Sequence, residues 1–379
     1  MNPLYIEDAA AISPLGSSLN EIWNKILLGE TAYTGVELPS NQSFFAAETV
    51  ENSASDISIY APLFYDAIRL LVDELNIITP VDAIFFATAV GNLAFIENEI
   101  YSQRAISADV LDFAAIRRVF TETPAWGFNT RFICVPTGCC AGVQAAGLAH
   151  KVMPELGLTR AIVMSLDFGL TPMSFEAFNR INATTSFDPS LPTSPSRPFC
   201  KERAGFLFAD GGGAMLVTTQ PLNNGLPRIT GYGCVSSAFH MTDIATDGHS
   251  IRDTIEKAMV EAELTANQIS HVNLHASGTQ QNDEAEYHAL VEIFGSTLPS
   301  ITAFKGNHGH ALGGANMIEL ALCWKMLREK VVPPTPKNLA VDAYEAVQPR
   351  STASDFEGNT ILKTASGFSG IHASIIMEC

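Results

Sequence analysis

With 379 residues, the chain is long enough for one large domain or two fused halves with substantial cores. Charged residues make up only 16% and hydrophobic ones 47%, so extensive burial within the protein or against a partner subunit is expected. A net charge of −18 excludes nucleic acid as a general partner, because phosphate binding needs concentrated Lys and Arg. No apolar run approaches the length of a membrane span, and the start Met1-Asn2-Pro3-Leu4-Tyr5 lacks a basic end followed by an apolar core. The seven cysteines (134, 139, 140, 200, 234, 323 and 379) show neither a disulfide-framework spacing nor, with the histidines, a zinc spacing. These features predict a cytoplasmic protein without a membrane span or a metal.

In chain order, Ile6 and Ala9-Ala10-Ala11-Ile12 read as a strand that is apolar on both faces and therefore central. A turn at Ser13-Pro14-Leu15-Gly16 and a helix from Leu19 to Leu28 follow. Residues 37–56 read as polar and irregular, and a helix is predicted from about Pro62 to Leu75 on the spacing of Phe64, Ala67, Leu70, Leu71 and Leu75. Ala83–Ala89 reads as a strand, and a mixed helical region runs through Arg118. Arg131–Val135 ends a further strand, and the small-residue segment Ala141–Met153 reads as a helix. Ala161–Ser165 is a strand, and the Phe/Pro/Ser/Thr-rich stretch through Phe199 reads as a site-covering loop. The glycine run in Phe206–Val217 predicts a bulge or close strand packing, since no phosphate-loop helix follows.

From Pro221 onward the element order repeats: strand 228–235, helix 250–264, strand 272–274, helix 283–294, strand 301–304, helix 313–330, and a closing strand pair at 360–364 and 373–377. Strands alternating with helices in both halves predict an α/β protein with two mixed sheets and helices around and between them, divided at 1–220 and 221–379.

The chemistry is expected in three strand-to-helix loops. Thr137-Gly138-Cys139-Cys140-Ala141-Gly142-Val143 places a cysteine at a helix start, where unpaired N–H groups and the positive dipole end favour a thiolate. The bland reading of the same stretch is a pair of buried structural cysteines. Leu274-His275-Ala276-Ser277-Gly278-Thr279 and Lys305-Gly306-Asn307-His308-Gly309-His310 each put a histidine after an apolar strand, in a small polar loop. A single such histidine is more often a satisfied core residue, but two of them with a cysteine form a set able to accompany a thiolate and hold a developing oxyanion.

Together these motifs resemble the elongating β-ketoacyl-acyl carrier protein synthases of the thiolase superfamily. Ser196-Arg197-Pro198-Phe199, Lys201–Phe206, Phe239–Thr242 and the tail Gly367-Phe368-Ser369-Gly370 extend the resemblance over essentially the whole chain. It implies two similar halves in an αβαβα layered core, with the nucleophile in 1–220 and the histidines in 221–379. It implies that Cys139 holds an acyl chain as a thioester, that His275 and His310 promote malonyl decarboxylation and hold the enolate oxygen, and that the N–H groups of Cys139 and Phe368 form an oxyanion hole. Phe368 also matches a gate over the acyl pocket, Ser277 and Thr279 match hydroxyls that hold the carrier's phosphopantetheine arm, and Lys305 with Glu319 matches a supporting ion pair. The implied substrates ride on acyl carrier protein, and no bound cofactor is called for. The carrier is acidic in this family, which predicts a basic patch including Arg180, Lys201 and Arg203.

The chain departs from the family pattern in several places. Ala276-Ser277-Gly278 stands where Gly-Thr-Ser is usual, and His308 where a Thr is usual. Residues 365–372 lack one aromatic and the final Asn of the usual tail, Cys140 is a bystander without an assigned role, and the chain is shorter than typical members. Two functions follow: an active condensing enzyme that extends a fatty, polyene or polyketide chain by two carbons as a homodimer or heterodimer, or a chain-length-factor-like partner that shapes the tunnel of a related ketosynthase. Retention of Cys139 favours the first.

Overall fold

Strands that are apolar on both faces must be covered on both sides, and this requirement sets the layering. In the computed structural model, which describes residues 3–37, 43–188, 190, 194–221, 223–337, 339 and 341–379, ten strands form the main sheet. They are β1 (Leu4–Ile12), β2 (Ala83–Ala87), β3 (Arg131–Val135), β4 (Arg160–Asp167), β5 (Gly211–Thr218), β6 (Arg228–Ser236), β7 (His271–Asn273), β8 (Ser300–Thr302), β9 (Thr360–Gly367) and β10 (Ile371–Glu378). The order in space is β8-β7-β9-β10-β6-β1-β5-β4-β2-β3. Read outward from the middle, each half runs first, fifth, fourth, second, third strand. The pairing senses match as well: β2 is parallel to β3 and β4, and β7 to β8 and β9, while β4–β5, β5–β1, β9–β10 and β10–β6 are antiparallel. Where two separate sheets are predicted, the inner strands β1 and β6 pair at Leu4↔Ile229 and Tyr5↔Arg228 and make the sheets hydrogen-bond neighbours.

Five helices complete the layers: α1 (Ile57–Glu74), α2 (Ala141–Glu155), α3 (His249–Ala262), α4 (Gln280–Phe294) and α5 (Leu312–Glu329). Helix α5 is buried almost all round, as a helix without a polar face must be. With α2 it packs between the halves, in one core that joins Val163 and Met215 to Ile361, Ala373 and Ile375. Helix α1 covers the outer face of the first half through Phe64, Ile68 and Leu71, and α3 and α4 cover the second through Ile251, Ile255, Ala285 and Ala289. This is the αβαβα arrangement of the thiolase-like fold.

Close backbone approach sets the central layer. A Cβ on Gly314 would lie 2.2 Å from the Gly211 carbonyl oxygen, and one on Gly142 3.0 Å from the Gly313 oxygen. Backbone cannot step aside as a flexible side chain can, so Gly314→Ala is expected to destabilise the protein by about 2–3 kcal/mol, read as a lower urea midpoint.

Some local predictions fail for tertiary reasons. Helix α1 starts at Ile57, because Asp56 caps it by accepting from the Ser58 N–H at 2.9 Å, and Pro62 lies inside it. In the region read as irregular, Ser43–Ala47 is a strand paired with Thr34–Glu37 and with Phe208–Ala209, and its Phe44 and Phe45 are buried; residues 38–42 lie outside the described set. The stretch after β4 contains a helix, Pro172–Arg180, capped by Thr171 with Pro at its first position. Among the described residues no helix is long and apolar enough to cross a membrane.

Candidate active site

The reactive groups sit at the ends of the strands, where α2 and α5 begin. Strand β3 leads through Thr137 to a single 3-10 turn, Gly138–Cys140, before α2. Gly138 has φ +75 with open space around its Cβ position, so glycine is needed here for its conformation. Cys139 is half-buried. Asn316 of α5 donates its side-chain N–H to the Cys139 carbonyl. Cys140 points the other way, fully buried, with its sulfur 3.3 Å from the Ile371 oxygen.

His275 follows β7 and is 3% exposed. Its backbone N–H donates to Glu286 at 2.9 Å and to the Thr364 hydroxyl at 3.1 Å, while the Ala276 N–H donates to the other Glu286 oxygen at 2.6 Å. Ala276 has φ 41, a conformation costly for a side-chain-bearing residue. Glu286 offsets that cost by holding both amides. Ser277 and Thr279 hydrogen-bond each other at 2.9 Å, and Thr279 caps α4. On the other loop, the His310 N–H donates to the Leu207 oxygen at 2.7 Å. Its ring stands 5.0 Å from Phe206 and 5.2 Å from His275, nearly perpendicular to both.

Cys139, His275, His310, Ser277, Thr279 and Phe368 line one pocket, together with Ser366 and Asn282. The pocket is narrow, about 30 Å³ against about 450 Å³ for the neighbouring space past Phe368. It shares Ile244, Thr279 and Phe368 with a vestibule of about 450 Å³ that is open to solvent past Ile181, Asn182 and Gln280. Phe368 stands between the two spaces, in a turn whose next residue, Ser369, is tied by its N–H to the Met241 oxygen at 2.7 Å.

The electrostatics correct one expectation. Burial pushes the Cys139 thiol up to about 12 and the Asp167 charge adds to the push, while Lys305 and the N–H groups of Cys139 and Phe368 pull it down. A helix end contributes only about 0.3–1 kcal/mol, and desolvation outweighs it. Burial therefore favours the thiol form of Cys139, with the N–H groups of Cys139 and Phe368 beside its sulfur. Burial, then the charge of Lys305, hold His275 and His310 well below the usual imidazole range, so both are neutral. Burial takes His308 down to about 4.

Lys305 and Glu319 pair as expected, at 2.8 and 2.9 Å and fully buried. Burial alone would raise the Glu319 carboxyl, but Lys305 and Lys363 pull it below its ordinary value. Three contributors escape the sequence reading: Lys363, whose ammonium reaches the same Glu319 at 2.8 Å; Glu286; and Asp167. The last accepts from the Thr88 hydroxyl at 2.6 Å and from the Gly314 N–H at 3.2 Å, pinning the first turn of α5 beside Cys139. A lysine inside the apolar run Ile361–Ala365 is the one signal that would have drawn attention to Lys363. Arg203 does not join the expected basic patch. Arg203 is buried and donates to the Cys200 and Gln280 oxygens and the Tyr344 hydroxyl, and Arg180 pairs with Glu176 at 2.7 Å. Of the three, Arg180 and Lys201 face solvent.

A thiol and two neutral imidazoles over a buried ion cluster, held at the strand ends of a thiolase-like fold, define the class of condensing-enzyme folds. Residues 226–338 match the family described as β-ketoacyl synthase, C-terminal domain. These residues carry the C-terminal domain of β-ketoacyl synthases, and the chain as a whole is similar to proteins named as such. It is 30% identical over 289 residues to the actinorhodin polyketide β-ketoacyl synthase 1 of Streptomyces coelicolor, covering 72% of this chain and 60% of that protein, under two thirds of its length. With a polyketide β-ketoacyl synthase 1 of Streptomyces cyaneus the identity is 27% over 411 residues, covering 97% and 95%. Among solved structures, a type II polyketide ketosynthase in complex with its acyl carrier protein and a hexaketide superposes with a TM-score of 0.87 at 23% identity, covering 100% of this chain and 99% of that one. The ishigamide ketosynthase/chain length factor superposes with a TM-score of 0.80 at 21% identity, covering 100% and 99%. These structural likenesses define the fold.

Proposed function

We propose that the chain catalyses decarboxylative Claisen condensation of an acyl group held on Cys139 with a malonyl group carried by acyl carrier protein, extending a fatty, polyene or polyketide chain by two carbons. The observation that carries this reading is the convergence of Cys139, His275 and His310, from three distant loops, on one pocket with a vestibule. In the first step the Cys139 sulfur attacks the acyl thioester of the carrier, and the phosphopantetheine thiol leaves with the cysteine proton. In the second, the malonyl thioester loses carbon dioxide, and the electrons of the broken bond pass to the thioester oxygen as an enolate. Neutral His275 and His310 each donate one N–H to that oxygen. The enolate carbon then attacks the acyl carbonyl on Cys139. Its oxygen gathers charge against the N–H groups of Cys139 and Phe368 until the carbon–sulfur bond breaks and the released thiolate takes a proton from water. The phosphopantetheine arm would reach through the vestibule past Phe368, along the hydroxyls of Ser277 and Thr279.

The proposed partners are an acyl carrier protein and a second ketosynthase-fold subunit, identical or related, and the proposed location is the cytoplasm. A second reading is a chain-length-factor-like partner without turnover of its own; the narrowness of the pocket and the raised thiol favour it. The chain alone, and with a related ketosynthase, is supplied with acyl and malonyl carrier protein. A mass increase at Cys139 and an extended product from the chain support condensation. A 1:1 complex in which Cys139 never gains an acyl group supports the partner reading.

A further inference from the structure

Two buried ammonium groups share one carboxylate beneath the pocket. Glu319 accepts from Lys305 at 2.8 and 2.9 Å through its two oxygens and from Lys363 at 2.8 Å, and all three side chains are fully buried. Lys305 comes from the loop that carries His310, and Lys363 from β9. The Lys363 ammonium also donates to the Thr364 oxygen at 2.6 Å. The Thr364 hydroxyl donates to Glu286 at 2.6 Å, and Glu286 holds the backbone of His275 and Ala276. An unbroken run of contacts thus connects the His310 loop to the His275 loop through Lys363.

We propose that Lys363 is a positioning residue of the condensation site: it fixes the two histidine loops against each other and sets a second positive charge below them, against the carboxylates of Glu319 and Glu286, which favours the enolate anion. The inference rests on the condensation reading above. A desolvated lysine in an apolar strand is costly, and a pair of charges can be replaced by apolar residues without loss of stability, so the fold does not require it. With Lys363 present the two carboxylates, Glu319 and Glu286, are balanced by two ammonium groups, and its loss leaves net negative charge where an anion must develop.

The groups that face this cluster are known from each surrounding element. Glu319 and Cys323 come from α5, Glu286 from α4, and Lys305, His308 and His310 from the loop after β8. His372 comes from β10 and Cys140 from the turn before α2. Lys363 acts on His275 and His310 in the same direction as burial and Lys305, towards the neutral form. A reaction that needs neutral imidazoles runs above their native pKa and is lost as pH falls through it. Without Lys363 that acid limb moves to higher pH.

The test compares the full chain with Lys363→Met and Lys363→Arg. Its readouts are NMR titration of labelled histidines, loading of acyl groups on Cys139, and decarboxylation of malonyl carrier protein. In Lys363→Met, the His275 and His310 titrations and the acid limb are expected to rise by about one pH unit. Decarboxylation should fall roughly 10–100-fold while loading stays within about twofold. Lys363→Arg should restore both. Where the methionine variant does not fold, Lys363→Gln, which keeps a donor to Glu319, reads the same shift. Titrations that coincide with wild type in the folded neutral variant, or equal losses of loading and decarboxylation, overturn the proposal. A wild-type chain that neither loads nor decarboxylates removes the condensation reading, while the titration still decides the charge balance.

Discussion

Cys139→Ala is expected to abolish acyl loading and to lower condensation by on the order of a thousand-fold or more, because no other group in the pocket can hold the chain as a thioester. The loss is one of chemistry, since the side chain is half-buried against a cavity and its removal leaves the packing of α2 and α5 in place. In a complex with a related ketosynthase the same variant separates the two readings: product falls if this cysteine carries the chain and persists if the partner's does. The raised thiol adds a second, independent measurement. With the thiol pushed up to about 12, alkylation of Cys139 by iodoacetamide should climb about tenfold per pH unit from 7 to 10 without a plateau. A plateau near neutral pH would mean a resting thiolate and would show that the helix end and Lys305 outweigh burial at this sulfur. Acyl transfer on a resting thiol then requires the sulfur's proton to leave as the bond forms, and on the condensation reading the departing pantetheine sulfur takes it.

Much of this site is legible in the sequence because its parts announce themselves locally. Cys139, His275 and His310 each stand in a short loop of small residues between an apolar strand and a helix, and such loops at the ends of strands face a common rim in a layered α/β fold. The repeated strand order is legible for the same reason, since alternation of elements survives where residue identity does not. What escapes is set by contact between distant segments. Nothing around Lys363 says that it will meet Glu319, 44 positions earlier in the chain, and nothing around Glu286 says that it will hold the amides of His275 and Ala276. Arg203 fails as a surface cation because the Tyr344 hydroxyl and two carbonyls draw it inward. The thiolate expectation fails because helix-end chemistry can be read along the chain, whereas the desolvation that outweighs it depends on how everything else packs around the sulfur.

Glu319→Leu is expected to be the most destabilising single change in the site. It leaves Lys305 and Lys363 fully buried with no anion in contact, at a cost of about 3–5 kcal/mol. That is a large part of a total stability of roughly 5–15 kcal/mol. The pH dependence has a defined sign: the native Glu319 carboxyl lies below its ordinary value of 4.5, so its contribution is complete above that value and is lost as pH falls through the lower native one. The gap between wild type and Glu319→Leu should therefore narrow on acidification. The triple variant Lys305→Met/Glu319→Leu/Lys363→Met tests why the cluster exists. It removes the uncompensated charges together with the desolvation cost of all three, so it should recover most of the loss and equal or exceed wild type in denaturant midpoint. A triple variant as weak as the single one would mean that shape, not charge, sets the cost. A stable but inactive triple variant would mean that the two lysines and the glutamate are kept for the field and the spacing they impose on His275 and His310, at the expense of a core that apolar residues would fill at least as well.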